Sequence, residues 1–185
     1  MLVAALNLAY FGVEFSVALA IGSVSLFADS VDFLEDASVN LLIAVALAWS
    51  AANRARAGMV LAGILLIPGV ATLWAAWARL SQGGAPPAAH TLSLTGAGAL
   101  AVNLACAWLL ARARHEAGSL TRAAFLSARN DAVANVAIIG AGLWIAVSGS
   151  GWPDLVVGVG IAAMNVDAAR EVWATARDEH RAANA

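Results

Sequence analysis

The chain has 185 residues, 62% of them hydrophobic and only 12% charged, with a formal net charge of −2. A soluble domain is about 45–50% apolar and about 25% charged, so the balance excludes an ordinary water-facing surface and points to lipid as the solvent. All ten basic residues are Arg, none forms a basic tract, and nucleic acid is excluded as a partner.

A membrane helix needs about 20 mostly apolar residues, and six segments qualify. The first is Leu2–Ile21, which lacks the charged start and cleavage site of a signal peptide and is expected to be retained. Gly22-Ser23 separates it from Leu26–Ala48. The run Asn53-Arg54-Ala55-Arg56 then breaks the chain before Gly58–Leu80. A turn rich in Gly and Pro, Ser81 to His90, leads to Thr91–Ala111. Arg112 to Arg122 separates it from Ala123–Val147, and Ser148 to Pro153 precedes Leu155–Ala174. The predicted class is all-α: a polytopic six-helix transmembrane unit over residues 1–176, then a short tail over 177–185 with no soluble C-terminal domain.

Arginine sets the expected orientation. Even-numbered helices leave the membrane at Arg54/Arg56, Arg112/Arg114 and Arg177/Arg181, while the opposite loops hold almost none, Arg79 being nearest. Positive loops stay in the cytoplasm, which predicts both termini inside. The Ala-rich, Lys-free composition suggests a GC-rich bacterial genome, hence a bacterial inner membrane. The lone Cys106 cannot form an internal disulfide. Trp49 and Trp152 suit the aromatic belt at helix ends. Gly158 and Gly160 suit close helix packing.

Ionisable groups within membrane helices are expensive and are functional candidates by default. The second helix carries Asp29, Asp32, Glu35 and Asp36, with Asp32 and Asp36 four apart and so on one face. The fifth carries Ser127, Arg129, Asn130, Asp131 and Asn135, of which Ser127, Asp131 and Asn135 share a face. At about 1.5 Å per residue, Asp32 and Asp36 lie roughly 9–15 Å from one boundary and Asp131 about 12 Å from the other. In a hydrocarbon layer of about 30 Å both sets approach the midplane. Like charges gathered there favour a bound divalent cation or bound protons. The bland readings stand beside this one. Asp29 suits a helix start. Arg129 can neutralise Glu35 or Asp131, or reach the cytoplasmic surface along its stem. Asn7 and Glu14 share one face of the first helix and read as packing contacts or secondary-path residues, as do Asn103, Asn165 and Asp167. Asp36-Ala37-Ser38-Val39-Asn40 echoes Asp131-Ala132-Val133-Ala134-Asn135 on helices running in opposite directions, as in transporters built from inverted repeats.

The run Gly22-Ser23-Val24-Ser25-Leu26-Phe27-Ala28-Asp29-Ser30-Val31-Asp32-Phe33-Leu34-Glu35-Asp36 resembles the second-helix signature of the cation diffusion facilitators: small residues, Ala-Asp, an acid or His, three residues, Asp. Asn7 and Glu14 resemble that family's first helix, Leu126 to Asn135 its fifth, and Trp152-Pro153-Asp154 with the glycines beyond it its sixth. The resemblance implies a homodimeric secondary transporter, not an enzyme. It would export zinc or related divalent metals, usually in exchange for protons, with no resident cofactor. It also implies a tetrahedral site at Asp32, Asp36, Asp131 and Ser127. Ser127 stands where the family usually has His. His90, His115 and His180 all fall in loops or the tail. An all-oxygen site suits harder cations such as manganese or magnesium. The rival expectation is a non-transporting paralogue or scaffold that keeps the fold. A third is an organic-cation transporter, for which the site helices offer only Phe27, Phe33, Trp49, Phe125 and Trp144 as aromatic walls.

Overall fold

A computed structural model describes residues 1–46, 49–83, 85–113 and 119–182. The segment 114–118, which holds Arg114 and His115, lies outside the described residues, as do the side chains of Ser127, Arg129 and His180. Six helices follow in order: α1 Leu2–Ile21, α2 Val24–Ala46, α3 Ala51–Gln82, α4 Ala89–Ala113, α5 Ser119–Ser148 and α6 Trp152–Ala182. The described residues hold no strand. Three helices contain stretches long and apolar enough to cross a membrane by composition alone: Leu2–Ile21, Ala89–Arg112 and Asn130–Ser148. Of the other helices, α2 carries four acids, Asp29, Asp32, Glu35 and Asp36, and α6 carries acids and arginines from Asp167 onward.

α1 ends where expected, and glycine is the reason. Gly22 takes the left-handed conformation (φ 64°), which costs a residue without Cβ nothing, and its N–H closes onto Ala18 O. α3 begins earlier than the sequence suggests. Ser50 caps it by accepting from the Asn53 backbone N–H, so Arg54 and Arg56 lie within the helix rather than in a break. At about 1.5 Å per residue its 32 residues exceed the hydrocarbon layer, which leaves that arginine-bearing turn free to project from it.

α2 is the central element and touches every other helix. Around it α4 packs on α5 and on α1, α3 packs on α6, and α5 also meets α6. The apolar core beside it joins Ala18, Leu26, Ala28, Leu92, Ile138, Ile145 and Ile161. Phe33 is buried against Tyr10 (centroids 5.1 Å apart), and Phe27 meets Phe15 at 5.6 Å. Most other large apolar side chains point outward, among them Leu8, Ile67, Trp74, Trp77, Leu94, Leu143 and Val156, which fits lipid-facing walls.

The two singled-out glycines part company. A Cβ on Gly158 would come within 2.7 Å of the Val24 carbonyl carbon and 2.8 Å of Ser25 N, so α6 approaches the α2 backbone there. Gly160 has nothing within 4 Å, and the expectation of close packing at that residue is corrected: it lies on the open face of α6. Trp49 and Trp152 are exposed at helix ends.

Candidate functional site

The polar groups form successive levels along α2, starting at its N-terminus. Asp154, in the first turn of α6, is fully buried there. Its carboxylate accepts from Ser23 Oγ and Ser25 Oγ, both at 2.6 Å, and from the backbone N–H groups of Val24 (2.9 Å) and Ser25 (3.1 Å). The first N–H groups of a helix have no partner within it. Asp154 therefore caps α2 from another helix, aided by the favourable charge of the helix start. Arg79, near the end of α3, lies 3.9 Å from Asp154 and donates to Gly22 O and, at 2.6 Å, to Ala85 O. The acceptor for Ser23, Val24 and Ser25 is about 130 residues away in the chain, and no local signal gives it.

One level deeper stand Glu14, Asp29 and Asn135, all fully buried. Asn135 Nδ2 donates to both carboxylate oxygens of Asp29, at 3.1 and 3.0 Å, and to Asp131 O at 2.7 Å. Asp29 is thus tied to α5, beyond the dipole role that its position near a helix start allows. Glu14 faces Asp29 from α1.

The next level holds Asp32, Asp36 and Asp131, each half-buried. Asp131 is the charge that Asp32 senses most strongly, ahead of Asp29, Glu35 and Asp36. Asp131 in turn senses Asp36, Asp29 and Glu35. The acids of α2 and α5 therefore lie within electrostatic reach across the helix pair. Asp36 also has an unforeseen partner: Asn7 Nδ2 donates to Asp36 Oδ2 at 3.3 Å. The Cys106 thiol donates to Asn7 Oδ1 at 3.3 Å, which fixes the amide's orientation. Asn7 and Cys106 are thus positioning groups for Asp36, and only the tertiary fold reveals them.

The sequence echo has a physical counterpart. Asn40 Nδ2 donates to Asp36 O, and Asn135 Nδ2 to Asp131 O, both at 2.7 Å. Each Asn folds back on the carbonyl of the Asp one turn earlier. Ser127 lies one turn before Asp131 on α5, so its position shares that face. Asn130 is exposed and stands about 100° around the helix from Asp131. Among the described residues no three His, Cys, Asp or Glu side chains converge into a metal-holding group. Ion pairs between described side chains lie elsewhere, at Arg79–Asp154, Arg170–Asp167 and Arg181–Asp178. Asn165 donates to Ala28 O at 3.4 Å, and Asp167 forms its exposed pair with Arg170, so both act in packing or at the surface.

A sequence model of the cation efflux transmembrane domain matches residues 1–178, nearly the whole chain. The chain belongs to the cation efflux family. No curated protein matches it. Cation efflux proteins carry divalent metal ions and are transporters, not enzymes. This cation efflux chain is accordingly an integral membrane protein and a metal-cation transporter of the diffusion-facilitator type. Metal is its cargo, and the levels along α2 are where the family's chemistry has to be sought.

Proposed function

We propose that the chain exports a divalent metal across a bacterial inner membrane and that Asp32, Asp36 and Asp131 carry the ion. One observation supports this most: the α2 and α5 acids lie within electrostatic reach across the helix pair, half-buried, while Glu14 and Asp29 are sealed. Half-buried groups can be reached by an entering ion. Ser127 supplies a weak fourth oxygen, and exposed Asn130 is less suited. An oxygen set with no imidazole favours manganese, iron(II) or cobalt relative to zinc. Carboxylates bind either the metal or protons, which suits exchange of one for the other. The six helices span the bilayer with both termini inside, on the strength of the arginine distribution. Residues 1–176 form the transmembrane unit and 177–185 a tail, and two copies pair as in the family. Access alternates between the two sides of the bilayer.

Two observations favour a second reading, a non-transporting paralogue. Ser127 replaces the His of the family pattern, and no three ligating side chains converge among the described residues. The organic-cation reading loses ground because Phe27 and Phe33 pack against Phe15 and Tyr10 of α1. Uptake into proteoliposomes, with a panel of divalent metals and an imposed pH gradient, separates the readings. Metal accumulation driven by the gradient supports transport. No flux of any metal, with the protein folded and inserted, leaves the scaffold.

A further inference from the structure

Among the described residues, Glu14 is the buried side chain with the most oxygens lacking a donor. It is fully buried, and its carboxylate oxygens meet no donor group among the described residues, only the carboxylate of Asp29, which stands within hydrogen-bond reach. A buried charge is costly unless it is paired or coordinates a metal. Its nearest charged neighbours deepen the problem: Asp29 faces it and Asp32 lies beyond. Tyr10, one turn earlier on α1, offers no relief, because its hydroxyl donates to Thr95 O at 2.6 Å. From α6, Asn165 spends its amide on Ala28 O.

An independent observation comes from α5. Asn135 turns its amide N–H groups to Asp29 and Asp131 O, and its Oδ1 is fully buried with no partner. Two carboxylates and a carboxamide oxygen, from α1, α2 and α5, thus meet around Asp29. Three of their oxygens lack any donor, and no described arginine reaches them. Anions are excluded by charge, apolar molecules by polarity and organic cations by burial. A small positive ion that takes oxygen ligands satisfies every free atom. An all-oxygen, doubly negative set selects hard cations.

We propose that Glu14, Asp29 and the side-chain oxygen of Asn135, all buried and drawn from α1, α2 and α5, form a second cation site for a small hard metal ion. It is separate from Asp32, Asp36 and Asp131 and does not depend on their assignment. The ion has two possible sources: the divalent cargo, held at a step of its passage, or a monovalent counter-ion.

The test uses the full chain in detergent. Bound Mn²⁺ is counted by equilibrium dialysis for the wild type, Glu14→Gln, Asp29→Asn and Asp36→Ala, and thermal unfolding is followed with and without Na⁺. If the cargo occupies the site, Glu14→Gln and Asp29→Asn each lose one bound Mn²⁺ that Asp36→Ala retains. If a counter-ion occupies it, their Mn²⁺ count is unchanged, but the rise in Tm that Na⁺ gives the wild type disappears. Wild-type Mn²⁺ binding together with a wild-type response to Na⁺ in both variants would overturn the site. So would loss of the fold in both variants in metal-free buffer, which would make the acids structural. Failure of the transport acids shows separately, as unchanged Mn²⁺ binding in Asp36→Ala.

Discussion

Asp36 and Asp131 share an arrangement in which an Asn one turn later ties down the backbone carbonyl. Removing either carboxylate leaves that backbone tie in place and takes away repulsion. Asp36→Ala and Asp131→Ala are therefore each expected to abolish metal uptake in proteoliposomes while eluting as folded protein. Normal uptake by both would refute the site. Position 127 tests selectivity: Ser127→His adds an imidazole, a good zinc ligand, and should raise zinc affinity relative to manganese in competition binding. Unchanged relative affinities would show that residue 127 is no ligand. These residues stand out as candidates in the sequence because four-residue spacing places side chains on one face and about 1.5 Å per residue gives their depth. Asn7 and Cys106 were not, since their bonds cross 29 and 99 positions of sequence. Glu14 was visible as an anomaly, but its relation to Asp29 required the α1–α2 packing.

Helices assemble here through contacts that periodicity cannot report. Asp154 satisfies two backbone N–H groups and two hydroxyls at the start of α2. Each buried donor left without a partner costs about 1–3 kcal/mol. Asp154→Ala should thus destabilise the protein by about 2–4 kcal/mol, allowing for partial rearrangement. Asp154→Asn, which keeps one acceptor oxygen, should lose less. Thermal unfolding in detergent measures both, and a wild-type Tm for Asp154→Ala would remove the capping role. The glycines of α6 give a paired test. Gly158→Ala drives a methyl into the α2 backbone and should lower the Tm, whereas Gly160→Ala meets nothing and should leave it unchanged or raise it through helix propensity. The six apolar runs made the helix count readable from sequence. Helix ends were less so: Arg54 and Arg56 looked like a break because charge marks a boundary in lipid, yet a helix capped by Ser50 carries both.

At the scale of the whole molecule, α2 is surrounded by the other five helices and stacks its acids in levels, the sealed pair of Glu14 and Asp29 next to the half-buried Asp32, Asp36 and Asp131. Class and membrane location follow from composition, because lipid demands apolar walls and helices that satisfy their own backbone. The levels themselves depend on how six helices rotate against one another, and no single helix encodes that. The stacking has a consequence for coupling. Metal ligands must be deprotonated to bind. Asp32 lies within electrostatic reach of Asp131, Asp29, Glu35 and Asp36, and the ion pairs among described side chains lie away from these groups. With so many like charges nearby, protons and metal compete for one set of oxygens, and the titration belongs to the cluster as a whole. Metal affinity is therefore expected to rise with pH, weakening as pH falls and protons reclaim the carboxylates, and each bound ion should release protons. Calorimetry in buffers of different ionisation enthalpy, from about pH 6 to about pH 8, measures both quantities. Arg129, on the same helix as Asp131, gives a control: Arg129→Gln should alter the pH dependence if the guanidinium offsets the cluster's charge. Binding that releases no protons and stays constant across that range would rule out proton exchange, leaving a metal channel or a structural metal site.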